Sequence, residues 1–230
     1  MAPPDSADVQ LTVVIPAYQA GATIGDVVTR ARAAVPAAAI TVVDDGSTDA
    51  TAAAARAAGA SLVSHPRNRG KGVALGTGIA QALDSGAAVI VTLDADGQHA
   101  PECIPIVAGP VLAGAADIAL GARPRIQPMP LRRQLTNWVS ARLAGVSDAQ
   151  TGFRAFTAEV ARRIRPAERH YDFETAFLLD ALAAGYRVTS VPIPTVYIAG
   201  ARSHFRPWAD TWRLARVFSR HARRILGWSA

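Results

Sequence analysis

Cysteine, lysine and long apolar runs are all scarce in this chain of 230 residues. A single cysteine, Cys103, excludes an intrachain disulfide and makes a reducing compartment the default expectation. No stretch approaches the roughly 18 consecutive apolar residues of a membrane span. The opening residues, MAPPDSADVQ, lack the basic and apolar regions of a signal peptide, so a cytoplasmic location is expected. The usual phosphate-cradling loops are missing too: there is no P-loop pattern, and no G-x-G-x-x-G follows the first apolar run. A bound nucleotide must be held another way. Lysine occurs once, at Lys71, so the net charge of +6 rests on arginine, the side chain suited to bidentate phosphate contact. No reading helix, RNP motif or aromatic–basic interleaving accompanies that charge, so nucleic acid is not the expected partner.

Against these absences stands the stretch Val89 to His99, VIVTLDADGQH. Val89 to Leu93 reads as a short buried strand, and Asp94 and Asp96 follow directly. If extended backbone continues for two more residues, the period of two puts both carboxylates on one face, with Ala95 turned away. Two like charges at one spot call for a cation between them, and oxygen ligands without cysteine favour Mg²⁺ or Mn²⁺. His99 is a candidate third ligand or, alternatively, a structural histidine. The plainer alternative for D-x-D alone is a polar turn closing a strand.

The order of elements supports a ligand crevice there. Leu11 to Pro16 reads as a buried strand. The next helix runs to about Ala34, with Thr23 as its cap and Val27, Val28 and Ala31 inward. Strands follow at Ala39 to Val43 and Ala60 to Val63, with a helix through Ala58 between them. A helix from about Val73 to Asp84 precedes the central strand, Ile104 to Leu112 reads as another helix, and Asp117 to Leu120 as another strand. Alternation of this kind predicts an α/β fold with a parallel sheet and right-handed crossovers. Two polar loops sit at element ends. In Asp44-Asp45-Gly46-Ser47-Thr48-Asp49 the first two carboxylates can accept from a base or ribose, while Ser47, Thr48 and Asp49 can cap the next helix. In Asn68-Arg69-Gly70-Lys71-Gly72 a lysine between glycines at a helix start makes an anion site; the alternative is a flexible loop with a solvated lysine.

VVIPAYQAG, VDDGSTD, NRGKG and LDADGQH, in this order and at these spacings, resemble the nucleotide-sugar domain of glycosyltransferase family 2. Gly121-Ala122-Arg123, the segment Asp148 to Arg154, Tyr171-Asp172-Phe173-Glu174, Val191 to Pro194 and Arg202 to Pro207 are similar to the branch that makes dolichyl- and polyprenyl-phosphate sugars. The resemblance implies a GT-A (Rossmann-like), mostly parallel sheet flanked by helices. Residues 11–206 would form one domain, with 11–121 the nucleotide-sugar half and 122–206 the acceptor half. It implies that Pro16, Tyr18, Asp44 and Asp45 contact the nucleoside, with Val43, Lys71 and Ala95 completing the donor contacts. Asp94 would face the ribose or sugar, Asp96 and Gln98 would hold Mg²⁺ or Mn²⁺, and Arg123 and Arg202 would sit near the phosphates. The donor would be GDP-mannose or UDP-glucose and the acceptor a polyprenyl phosphate. One departure leaves base and sugar open: related mannose synthases often carry Glu two residues after the tyrosine, where this chain has Ala20.

A lipid phosphate is already ionised at neutral pH and needs no strong base. A hydroxyl acceptor would need one, for which Asp148 and Glu174 are candidates, each with a structural alternative. Residues 1–10 read as a tail, and Ala122 to Leu131, rich in proline, as a flap or a surface loop. Residues 207–230 read as a basic amphipathic helix. Arg213, Arg216, Arg220 and Arg223 stand opposite Leu214, Val217, Phe218, Ile225 and Leu226. Such a helix either lies on a membrane or packs on the domain. The expectation is an inverting, metal-dependent hexosyltransferase, peripheral on the inner membrane face. Its rivals are the same fold with a hydroxyl acceptor and a non-catalytic nucleotide-sugar binder.

Overall fold

Val13, Val14 and Ile15 are consecutive in the chain, and none has exposed surface. Successive strand residues point to opposite faces, so both faces of the sheet must be covered. The computed structural model describes residues 10–122, 151–170, 172–194, 216–217 and 219–220. Its strands are β1 (Leu11–Ala17), β2 (Ala39–Asp44), β3 (Ser61–Ser64), β4 (Val89–Thr92), β5 (Ile118–Ala122), β6 (Arg154–Thr157) and β7 (Val188–Pro192). Its helices are α1 (Ile24–Ala34), α2 (Thr51–Ala57), α3 (Lys71–Asp84), α4 (Ile104–Leu112), α5 (Ala158–Arg163) and α6 (Phe173–Ala183).

The strands form one sheet in the order β3-β2-β1-β4-β6-β5-β7. β6 runs antiparallel to both neighbours, and the other pairings are parallel, as the alternating pattern predicts. On one face Val13, Ile15, Val42 and Val91 pack with Val27, Val28, Ile104 and Val107 of α1 and α4. On the other, Val14, Ile90 and Leu120 pack with Leu75, Ile79 and Phe177 of α3 and α6. α3 lies so close to β1 that a Cβ on Gly78 would overlap the side chain of Val14, so only glycine permits the crossing.

Several local expectations change. α3 begins at Lys71, two residues early, making the lone lysine its first residue. Thr23 precedes α1 without a side-chain cap bond; its hydroxyl donates to the Ala95 carbonyl at 2.7 Å and ties α1 to the turn after β4. β6 is only four residues long and opens on a charged residue, so it offers no apolar run to read.

Of the helix expected over 207–230, residues 216, 217, 219 and 220 are described and are helical. Val217 is buried with Ala176 and Leu179 of α6, and Arg220 pairs with Glu168 at 2.8 Å. That turn therefore docks on the domain. Arg123, Asp148, Tyr171, Arg202 and the proline-rich loop after Ala122 lie outside the described residues.

Candidate active site

The sheet order reverses direction at β1, with β2 and β3 on one side and β4 on the other. At such a switch point the loops leaving adjacent strands diverge and open a crevice. Register brings the strand ends level: Pro16 lies opposite Val43, Ala17 opposite Asp44, and Val14 opposite Thr92. Pro16, Tyr18, Val43, Asp44, Asp45, Asp94, Ala95, Asp96 and Gln98 all fall at or just past these ends. Pro16, Val43 and Ala95 are buried, whereas Tyr18 is exposed on the rim.

The loop after β1 is held by the loop after β2. Gln19, at φ 52, occupies a backbone region that few non-glycine residues adopt. Its N–H donates to Ser47 Oγ at 2.9 Å and its side-chain amide to Thr48 Oγ1 at 3.0 Å; its Oε1 accepts from the backbone of Thr48 at 3.1 Å and Asp49 at 3.3 Å. Asp49 Oδ2 accepts from Gly21 N at 2.9 Å. The helix α2 starts at Thr51; Ser47 and Thr48 staple the two loops, while Asp49 also serves the helix start, its Oδ1 accepting from Thr51 N at 3.0 Å. Burial raises the Asp49 carboxyl, but hydrogen bonds from Thr51 and Gly21 outweigh it and hold the group below the usual carboxylate range.

The two carboxylates after β2 part company. Asp45 Oδ1 accepts from His65 Nδ1 at 2.7 Å and Arg69 N at 2.9 Å, and Oδ2 accepts from Gly70 N at 2.8 Å. Asp44 Oδ1 accepts from Ser47 N at 3.0 Å, while its second oxygen makes no hydrogen bond among the described residues. Of the pair, Asp44 retains capacity for a ligand.

Extended backbone does not persist past β4, which corrects the alternation reading. The strand ends at Thr92 and the chain turns at Ala95 and Asp96, with Gly97 at φ 73. Asp96 is exposed, and its Oδ1 accepts from Gln98 N at 3.0 Å. Asp94 faces Lys71, whose Nζ lies 2.7 Å from Asp94 Oδ1 and 2.6 Å from Glu174 Oε1. Burial acts to lower the Lys71 ammonium, but the two carboxylates outweigh it and hold it well above its ordinary value. The lysine is thus neither solvated nor an unaccompanied anion hook; it is locked between two acids. His99 is buried behind Asp94, Nδ1 at 3.7 Å from Asp94 Oδ2, with its ring 5.6 Å from that of Phe153. Among the described residues no three His, Cys, Asp or Glu side chains converge on a metal position, and His99 is buried whereas Asp96 is exposed. Asp96 and Gln98, two surface oxygen donors on one turn, suit a cation that draws its remaining ligands from substrate phosphates and water, the habit of Mg²⁺.

Residues that no chemistry-bearing pattern singled out complete the site. A Cβ on Gly152 would collide with both carboxylate oxygens of Asp94. Thr92 Oγ1 donates to the Gly152 carbonyl at 2.7 Å. Arg154 is buried; its Nε donates to Thr151 O at 2.8 Å and its guanidinium also reaches the Glu174 carbonyl. These residues entered the sequence reading only through resemblance, because nothing in Thr-Gly-Phe-Arg says that the glycine will face an acid. His65 belongs to no motif at all.

Residues 12–191 match glycosyl transferase family 2. An uncharacterized protein of Methanocaldococcus jannaschii is 39% identical over 171 residues, 69% of this chain and 70% of that protein. The polyprenol monophosphomannose synthase of Mycolicibacterium smegmatis is 33% identical over 200 residues, 79% of this chain and 75% of the synthase. The fold is shared with glucosyl-3-phosphoglycerate synthase of Mycobacterium tuberculosis, crystallised with Mn²⁺, UDP-glucose and phosphoglyceric acid. That likeness has a TM-score of 0.77 at 24% identity, over 94% of this chain and 81% of the other. With the mostly parallel sheet, the crevice at its switch point and the Asp-Ala-Asp turn in place, the chain belongs to glycosyltransferase family 2 and is a glycosyltransferase.

Proposed function

We propose that the enzyme is metal-dependent and inverting, and that it moves a hexose from a nucleotide sugar to the phosphate of a polyprenyl phosphate. The observation that carries this reading is the Asp94–Lys71–Glu174 triad. Attack by a hydroxyl requires a base to take its proton, and a carboxylate already bound to an ammonium is a poor one. Among the described residues Asp94 and Glu174 are so bound, and Glu174 is also buried; Asp148, the other candidate base, lies outside them. A phosphate acceptor, ionised at neutral pH, needs no such base. The similarity to a polyprenol monophosphomannose synthase supports the same acceptor.

Within this reading Asp44 and Tyr18 meet the nucleoside, and Asp94 orients the ribose or sugar. Asp96 and Gln98 would hold Mg²⁺ or Mn²⁺, which supplies positive charge for the departing diphosphate. Arg123 and Arg202 add to that charge. With Val217 docked on α6, the exposed Arg216 of the C-terminal segment would face an anionic membrane surface on the cytoplasmic side; among the described residues no helix is long and apolar enough to cross a membrane.

The test is transfer of label from GDP-mannose or UDP-glucose, assayed separately with polyprenyl phosphate and Mn²⁺ or Mg²⁺, into an organic phase. Label should appear with one donor, vanish with EDTA, and fall at least about 1,000-fold in Asp96→Ala with the circular dichroism spectrum retained. An empty organic phase alongside transfer to a hydroxyl glycan would replace the acceptor. Full activity of Asp96→Ala in EDTA would end the metal role.

A further inference from the structure

The lysine loop is anchored by a buried carboxylate–histidine pair that lies outside the reacting groups. Asp45 is mounted on the sheet, its N–H donating to Ala17 O at 2.8 Å, and His65 is mounted likewise, its N–H donating to Asp44 O at 2.9 Å. Between these two supports, Asp45 gathers His65 Nδ1 at 2.7 Å, Arg69 N at 2.9 Å and Gly70 N at 2.8 Å. The opposite ring nitrogen, His65 Nε2, lies 3.0 Å from Thr77 Oγ1, and the Thr77 hydroxyl donates to Val73 O, also at 3.0 Å. One imidazole therefore joins the end of β3, the carboxylate past β2 and the second turn of α3. Both side chains of the pair are shielded from water, since Asp45 and His65 are among the buried polar residues.

What the pair holds is the backbone immediately before Lys71. Gly70 sits at φ 100, a conformation closed to other residues without strain, and a Cβ there would strike Arg169 O and the His170 ring. The loop is gripped from the far side as well, where Gly72 N donates to Arg169 O at 2.9 Å. A loop pinned on both sides sets the start of α3, and the start of α3 sets where the Lys71 ammonium can reach.

We propose that His65 is a positioning residue for donor binding: through Asp45 it fixes the Arg69–Gly70 backbone so that Lys71 meets Asp94 and Glu174. His65 touches neither donor nor acceptor in this assignment. Asp45 then serves the loop, and the nucleoside contact falls to Asp44. The proposal rests on the glycosyltransferase reading for its effect on substrate and on geometry alone for the clamp.

The test uses three full-length proteins: wild type, His65→Leu, which removes both ring nitrogens, and His65→Asn, whose amide nitrogen can replace Nδ1 as donor to Asp45. Amide hydrogen exchange at Arg69 and Gly70 reads the clamp without any substrate. Calorimetric binding of Mn²⁺–UDP and Mn²⁺–GDP, with donor KM and kcat, reads the consequence. His65→Leu should speed exchange at both amides by about 10-fold or more. It should weaken nucleotide binding and raise donor KM by about 10- to 100-fold, with kcat changed far less. His65→Asn should recover most of both effects, which a general loss of packing would not allow. Unchanged exchange in His65→Leu overturns the clamp. Faster exchange with unaltered nucleotide affinity and KM overturns the positioning role. A wild type that binds neither nucleotide removes the donor-site reading and the positioning role with it, while the exchange data still decide whether the clamp exists.

Discussion

Two aspartates stand just past β2 and β4, the parallel strands on either side of β1, and they are held in opposite ways. Asp45 receives two backbone N–H groups and a histidine N–H, all fixed to the sheet or to a helix start. Asp94 faces a lysine ammonium at the end of a four-carbon stem, with His99 behind it. Backbone donors cannot leave without remodelling a loop, whereas an ammonium can turn away when another cation or an anion arrives. One carboxylate therefore builds the wall of the crevice and the other belongs to its contents. Asp-Asp-Gly and Asp-Ala-Asp look alike as acidic turns, but burial by fixed donors separates structure from chemistry.

The comparison breaks most visibly at Gly152. Its carbonyl is pinned by Thr92 Oγ1 at 2.7 Å, and it lies two residues before β6, which pairs with β4. The backbone cannot retreat from an added methyl, so in Gly152→Ala the Asp94 carboxylate must move. Displacing a reacting group by about 1 Å can cost about 100-fold in rate, and kcat/KM should fall by at least that much with the fold retained. Near-normal transfer would mean that Asp94 is not confined as the geometry requires.

How much of this was legible follows from where each residue sits. Strands buried on both faces write themselves as unbroken apolar runs, so β1, β2 and β4 and the polar turns after them could be read directly. The turns also betrayed their chemistry, because Asp44, Asp94, Asp96 and Lys71 cluster at element ends. The partnerships could not be read. Lys71 is separated from Glu174 by 103 residues of chain, and His65 from Asp45 by 20, and no local period links them. β6 is short and antiparallel, and its leading Arg154 hides it. Alternation failed at Asp94 to Asp96 because a positive-φ glycine, Gly97, lets the chain turn where a strand would have continued.

Glu174→Gln sharpens the same contrast at a middle scale. The change keeps the shape and removes one of the two charges that hold Lys71. If Asp94 is held by charge, the ammonium shifts wholly to Asp94 and competes harder with the donor. Donor KM should then rise by about 10-fold, and stability should fall by about 1–3 kcal/mol as a buried ion pair loses one charge. A urea titration measures the second effect as a lower midpoint at unchanged slope. A variant with wild-type KM and midpoint would show that the Glu174 charge does not act on the site.

The smallest effect tests carboxylates away from the site, two of them paired with arginine side chains. Hydrogen bonds from the Arg187 side chain hold Asp117 below the usual range: Nε lies 3.1 Å from Oδ2, Nη2 lies 2.9 Å from Oδ1, and the Arg187 backbone N is 2.8 Å from Oδ2. Asp49 and Glu102 are also lowered, Glu102 first by its hydrogen bond from Arg30. A lowered group binds fewer protons folded than unfolded. Its contribution is therefore complete above the ordinary carboxylate value near pH 4 and fades as pH falls through the lower folded value. Urea midpoints should be insensitive to these groups between about pH 7 and pH 5 and should drop below about pH 4. Asp117→Asn removes one titrating group while leaving an acceptor for the arginine, so its acid limb should be shallower than that of the wild type. An identical limb would assign the acid sensitivity to the other carboxylates. A shallower one would show that a carboxylate paired with arginine beside β5 and β7 carries stability with pH, as distinct from those arranged around Lys71 for chemistry.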